Sequence, residues 1–415
     1  MAYGIGIVLF ALGILVSVCV HEAGHLGTAK AFGMKVTKYF VGFGPTLWSF
    51  RRGGTEYGLK AIPAGGFVKI VGMTPLEDDV EEADEHRAFW RKPLWQRTVV
   101  LSAGSLTHFA LGIVLLWIAA VFVGVPNPDR VNYDETKAPA VLGSVSSCLP
   151  RDPAATKCAP GDPASPASKA GLKAGDRITA IAGKPTPTYG DLVKATRAAP
   201  AGPTPVTYVR NGQTRQATVD LVRIERNVGT RDAPKRETVG VLGVTSKGPE
   251  GPVTVTYGPI EGVGVATDYT GLLFTGTFNA LAKFPEKIPK LWDALLGAPR
   301  DAETPVSVVG ASRIGGEAVD AGLWPLFILL MAQLNLFIGV FNLFPLLPLD
   351  GGHIAVAWYE RVRSWIAAKR GRPDPGRVDY NRLMPLTYAV VLLFGGITLL
   401  TVATDIVNPI SLFGP

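Results

Sequence analysis

The sequence predicts a multi-pass α-helical membrane protein. It has four transmembrane helices, a membrane-associated β-hairpin between the first two, and an extracytoplasmic α+β domain inserted between the second and third. Three observations carry this. Four apolar runs are long enough to cross a hydrocarbon core of about 30 Å. Charged residues make up 18% of the 415-residue chain, below the usual quarter or so, while apolar residues make up 47%. From about 126 to 320 the pattern changes to short alternating segments broken by Gly and Pro turns.

The first run is Tyr3 to Val20, continuing helically through His21–His25 to about Ala31. No Lys or Arg precedes it and no A-x-A-like site follows, so it reads as a retained span rather than a cleaved signal. The others run from about Thr98 to Val125, Ala321 to Leu347 and Pro385 to Thr404. The domains expected are therefore 1–125, 139–225, 226–320 and 321–415. The low charge and high apolar content exclude a mainly disordered chain. Three cysteines and five histidines exclude a Cys-rich zinc scaffold. The formal net charge of +7 is spread along the chain and flanks apolar runs. It suits a lipid bilayer surface, not nucleic acid.

Orientation follows from the short loops. Trp358 to Leu383 holds seven basic and three acidic residues, which places it in the cytoplasm. Thr28 to Arg97, with eleven basic against eight acidic, agrees more weakly. Both termini and the large middle segment then lie outside the cytoplasm.

Within the middle segment, Asn211-Gly212 between Val206–Arg210 and Gln213–Val219 signals a two-residue hairpin. The run Ala170 to Gly183, with Tyr189–Ala198 as a helix, resembles the PDZ signature over about 140–225. PDZ domains bind peptide ends by adding a strand to a sheet edge. Cys148 and Cys158 bracket a Pro-rich insertion and can pair outside the cytoplasm, or remain two free thiols. Residues 225–258 read as strand and loop. Residues 259–297 read as one or two helices interrupted by Pro285 and Pro289.

The sharpest motif is His21-Glu22-Ala23-Gly24-His25. Residues four apart share one helix face, so both imidazoles can hold one Zn2+ ion. Glu22 projects beside them, where it can take a proton from an attacking water. The alternative, a solvent-facing polar patch, fails on cost. The motif ends an apolar run, and each unpartnered polar group there costs several kcal/mol.

Such a site needs a third protein ligand. Span three ends Asn342-Leu343-Phe344-Pro345-Leu346-Leu347-Pro348-Leu349-Asp350-Gly351-Gly352-His353. Pro345 and Pro348 cannot continue a regular helix, so the chain should unwind before Asp350. Asp350 is then the preferred third ligand, with His353 a rival on the basic-loop side. The structural alternative for Asp350 is a helix N-cap for the segment beginning near Gly351.

The order HEAGH, PDZ-like domain, NLFPLLPLDGGH resembles the site-2 protease family, and more narrowly its regulator-of-sigma-E protease branch, over nearly the whole chain. That resemblance implies a bacterial inner-membrane protein and intramembrane zinc proteolysis of single-span membrane proteins, typically anti-sigma factors already cut once. It implies His21, His25 and Asp350 as ligands of one Zn2+ per chain, Glu22 as general base and Asn342 as a substrate-holding residue. Substrate ectodomains or peptide ends would meet the PDZ-like domain. Gly42–Pro45 and Tyr57–Met73 resemble the family's membrane-associated β-hairpin. Gly58–Ile62 and Phe67–Val71 alternate around a Pro-Ala-Gly-Gly turn, as two short strands would. Phe67 and Val68 would hold substrate extended. Where the family has proline and asparagine after its span-two glycine, this chain has Ser105 and His108. His108 either donates to an oxyanion or serves as a helix–helix hydrogen-bonding residue. Rival readings are a non-catalytic PDZ membrane scaffold and a metal-binding membrane protein. Neither needs a glutamate between the two histidines.

Overall fold

The computed structural model describes residues 1–73, 81–150, 158–228, 235–301 and 303–413. In chain order it contains α1 (Ala2–Ala31), β1 (Val36–Arg52), β2 (Thr55–Ile70), α2 (Leu94–Ile118) and β3 (Val125–Pro126). There follow α3 (Pro128–Val131), β4 (Leu142–Val145), α4 (Pro166–Lys169), β5 (Arg177–Ile181), β6 (Lys184–Pro185) and α5 (Tyr189–Ala198). Next come β7 (Gly202–Arg210), β8 (Gln213–Asn227), β9 (Arg236–Val241), β10 (Val244–Ser246) and β11 (Thr254–Val255). Five helices complete the chain: α6 (Glu261–Leu295), α7 (Val308–Asp320), α8 (Trp324–Asn342), α9 (Asp350–Lys369) and α10 (Met384–Val407). Two compact units result, Met1–Val125 with Val255–Pro415, and Pro126–Thr254.

Among the described residues four helices are long and apolar enough to cross a membrane: Ala2–Ala31, Leu94–Val123, Trp324–Asn342 and Met384–Val407. Each coincides with one apolar run of the sequence. The third is shorter than its run. Gly322 turns left-handed after α7 (φ 72°) and α8 stops before Pro345. Around α1 pack α2 and α7, while α2 also packs on α8, α9 and α6. Within residues 259–297 the chain forms one helix, Glu261–Leu295, not an interrupted pair. Pro285 and Pro289 lie inside α6, whose Leu291 and Ala294 are buried around and beyond them. Tertiary burial here outweighs the hydrogen bonds the prolines remove. Beyond α6, Arg300 pairs with Asp405 of α10 at 2.6 Å, both buried, and fastens the connecting loop.

The hairpin differs from its expected form. The tight turn is Gly53-Gly54, both left-handed (φ 59° and 78°), closing Arg52 onto Thr55. Glycines suit such a two-residue turn because no Cβ resists positive φ. The segments Gly58–Ile62 and Phe67–Val71 do not pair with each other. Instead β1 runs between them, Phe40 facing both Gly58 and Phe67. The chain does reverse at Pro63–Gly65, but it returns on the far side of β1, so Glu56–Leu59 flank Lys38–Val41 on one side and Gly66–Ile70 on the other. Tyr39 Oη donates to the Cys19 carbonyl at 2.8 Å, and Lys30 Nζ to Tyr57 Oη at 2.6 Å. These bonds lay the hairpin along α1.

The unit Pro126–Thr254 contains a five-stranded antiparallel sheet, β6-β5-β7-β8-β9, with β4 and β10 paired separately. Asn211-Gly212 makes the turn between β7 and β8, as the sequence indicates. The core holds Leu142, Leu172, Ile178, Ile181, Leu192, Val206, Val219 and Leu221. Thr188 and Asp191 cap α5 reciprocally. Asp176, almost fully buried, takes a two-pronged bond from Arg210, both contacts 2.7 Å. Burial pushes the Asp176 carboxyl up, but Arg210 and the Lys173 N–H hold it below the usual range. Cys148 and Cys158 form a disulfide with Cα atoms 5.9 Å apart. Residues 151–157 between them lie outside the described residues.

Candidate metal centre

Helix α1 puts His21 and His25 on one face, and both are buried. Their Nε2 atoms are 3.1 Å apart. Helix α9 begins at Asp350, whose Oδ2 lies 3.3 Å from His21 Nε2 and 3.4 Å from His25 Nε2. The Pro345-to-Pro348 stretch leaves the chain non-helical between α8 and α9, as its prolines require. A Cβ at Gly351 would collide with the Leu343 carbonyl, so glycine lets the turn fold back that tightly. The Asp350 side chain makes no N-cap hydrogen bond; it faces the histidines. His353 is turned to Tyr380 Oη at 3.3 Å and is not in the cluster.

The three donors fit a zinc ion. Two imidazoles and a carboxylate are a catalytic zinc ligand set that leaves a position open. Tetrahedral coordination at the usual zinc bond lengths separates neighbouring ligand atoms by about 3.4 Å, close to the triangle observed. Buried Asp350 Oδ2 has no hydrogen-bond partner among the described residues, an expensive state that a cation relieves. His25 Nδ1 donates to the Val100 carbonyl at 2.7 Å, which leaves its Nε2 lone pair aimed at the cluster.

His21 is held differently. Its Nδ1 has no hydrogen-bond partner among the described residues. The ring lies instead on bare backbone. A Cβ at Gly104 would sit 2.6 Å from both His21 ring nitrogens and closer still to Cε1. A Cβ at Gly24 would sit 2.8 Å from the Ala103 carbonyl and from Thr107 Cγ2. Two glycines therefore set how near α1 and α2 approach. The His108 ring flanks His21, centroids 5.1 Å apart. His108 Nδ1 bonds Asn335 Oδ1 of α8 at 2.9 Å, and Asn335 Nδ2 donates to the Met331 carbonyl. With that amide orientation the neutral His108 ring donates through Nδ1 and keeps no N–H for another acceptor.

Glu22 is half-buried beside the cluster. A Cβ at Gly66 would lie 3.4 Å from its Cγ, and the Val68 backbone N–H faces its carboxylate. Strand β2 thus passes directly alongside Glu22. Phe67 stacks between Phe40 and Phe43, ring centroids 5.6 and 6.1 Å away. Asn342 is the half-buried last residue of α8. Sequence reading missed Asn335 as the partner of His108, although a polar residue inside an apolar span was its visible signal. It also missed Gly104 as the bed for His21.

Fold and site together define a class: a multi-pass membrane protein with a buried two-histidine, one-carboxylate metal cluster and an adjacent glutamate. The chain belongs to peptidase family M50, the site-2 protease family, whose sequence profile matches residues 9–373. It is 44% identical over 417 residues to the zinc metalloprotease Rip1 of Mycolicibacterium smegmatis, covering 100% of both chains. Identity to the zinc metalloproteases Rip1 of Mycobacterium bovis and Mycobacterium tuberculosis is 42% over 421 residues, again covering 100% of each chain.

Proposed function

We propose that this chain is an intramembrane zinc metalloprotease that cuts single-span membrane proteins within or near their transmembrane segment. The observation that carries this reading is the convergence of His21, His25 and Asp350 at the end of a membrane-crossing helix, with Glu22 beside them. The chain is a zinc metalloprotease by family, and the donor set suits that metal. His21, His25 and Asp350 would hold one Zn2+. Bound there, the ion supplies Lewis-acid polarisation of a peptide carbonyl and of water. Glu22 accepts the proton of the attacking water and delivers it to the leaving amine.

Substrate must reach Glu22 unwound, because the peptide bonds of an intact helix are shielded from attack. Gly66–Val68 pair with β1 on one side, and that segment passes Glu22. We assign Phe67 and Val68 to holding substrate as an added strand, and Asn342 to holding it at the end of α8. The exposed Phe43, Leu47, Trp48 and Ile62 suit a hairpin dipped into lipid. Replacing Phe67 and Val68 together by proline removes two strand N–H donors, one toward β1 and the Val68 N–H that faces Glu22. Cleavage should be lost with zinc retained; unchanged cleavage would remove the hairpin from the substrate path.

The basic segment 358–383 supports a cytoplasmic position for that loop in a bacterial inner membrane. Residues 126–254 are then extracytoplasmic, which the Cys148–Cys158 disulfide favours. We read the domain as PDZ-like, meeting peptide ends or substrate ectodomains. The test of the function is direct. Purified protein in nanodiscs should cleave a single-span substrate, lose cleavage with its zinc on chelation, and regain both when zinc is restored. Full activity in metal-stripped protein would overturn the reading.

A further inference from the structure

We propose that the outward face of α9 is a binding surface for anionic phospholipid headgroups. Helix α9 is not among the membrane-crossing helices, yet it exposes large apolar side chains: Trp358 at 50%, Val362 at 48% and Trp365 at 53%. At about 100° per residue, these three and Ile366 fall within an arc of about 100°. Lys369 lies inside the arc and stacks on Trp365, 4.1 Å from its ring centroid. Arg361 flanks the arc on one side and Arg370 on the other; Arg372 follows just beyond the helix. An apolar strip bordered by cations is the design of a helix lying in the headgroup plane.

Charge selects the occupant. Arg361, Lys369, Arg370 and Arg372 are exposed and make no ion pair among the described residues. The acids nearby are engaged elsewhere. Glu360 pairs with Arg97 of α2 at 3.1 Å, Asp379 pairs with Arg382, and Asp374 accepts from Ser364 and the Gly376 N–H. The opposite face is fixed: Ala357 and Ala367 are buried, and Glu360 holds Arg97 of α2; at the arc's edge Trp358 Nε1 donates to Thr98 Oγ1 at 3.2 Å while half its surface stays exposed. The helix therefore presents aromatic and cationic groups together, away from the bundle. Each basic side chain near an anionic leaflet favours association by about five-fold. Because α9 starts at Asp350, headgroup contact steadies the axis that carries this carboxylate. The surface itself is independent of the metal site's activity.

The test uses the full chain in phosphatidylcholine bilayers and spin-labelled probe lipids. The relative association of labelled phosphatidylglycerol and labelled phosphatidylcholine is read from the motionally restricted fraction. Wild type should prefer phosphatidylglycerol several-fold, and raised salt should weaken the preference. The variant R361Q/K369Q/R370Q/R372Q should fall to near parity, while R361K/R370K/R372K keeps the wild-type value. The variant R51Q/R52Q, at the hairpin turn, should also keep it. No preference in wild type, a preference unchanged in the four-site variant, or one lost only in R51Q/R52Q would overturn the proposal. Equal thermal unfolding of all variants shows that the comparison is between folded proteins.

Discussion

Replacing Glu22 by glutamine lowers proteolysis by about 10²–10⁴-fold, the usual weight of a positioned acid–base group. Zinc content stays at the wild-type level. The two halves of that expectation come from different contacts. The three donor atoms belong to His21, His25 and Asp350, and Glu22 is not among them. Glutamine matches glutamate in shape and keeps an oxygen that the Val68 N–H can meet, so β2 remains in place. Only the capacity to accept and return a proton is removed. Cleavage of a single-span substrate, measured beside metal analysis of the same preparation, reads both halves. Activity within a few-fold of wild type would assign the base elsewhere. Loss of zinc would make Glu22 a ligand.

Gly104→Ala is the second large effect, and it acts on the metal rather than on the proton. The new methyl would sit 2.6 Å from both nitrogens of the His21 ring, inside contact distance. His25 has the Val100 carbonyl to hold its orientation; His21 has no such bond among the described residues and depends on that flat bed. The displaced ring should weaken zinc binding by at least the 10–100-fold seen when a ligand loses its supporting contacts. Alanine is a better helix former than glycine, so α2 itself is not weakened. Gly112→Ala is the control on the same helix. Its methyl would meet the flexible end of Leu336 at 3.0 Å, and zinc should be retained. Equal zinc loss in both variants would mean general damage to the helix packing. Unchanged zinc in Gly104→Ala would show that His21 has another support.

Much of this was legible because it is local. Four apolar runs gave four membrane-crossing helices, since length and polarity alone decide whether a helix can span lipid. His21 and His25 met because a helix puts residues four apart on one face. The Pro345-to-Pro348 stretch announced the break that lets Asp350 turn inward. The rest depends on contacts between distant segments. Pro285 and Pro289 suggested a break in α6, but neighbours packed around it keep the helix whole. The two halves of β2 were expected to pair, and they do not, because β1 lies between them. The Pro-Ala-Gly-Gly stretch does turn the chain, but the tight Gly53-Gly54 turn before it went unread. His108 showed itself as polar within a span, but its partner Asn335 stands 227 residues away, and nothing local names it.

The separation of the donors also has a consequence for how the enzyme comes into being. His21 and His25 lie on α1, and Asp350, far along the chain, is the first residue of α9. A nascent chain therefore carries its paired histidines and glutamate while α2 to α8 are made, before the carboxylate of the proposed ligand set exists. If those three residues are the ligands, as proposed, metal capture at full strength waits until α8 and the following turn have been made. On the proposed ligand set, a growing chain that has not yet reached Asp350 should hold no complete metal site and cut no substrate.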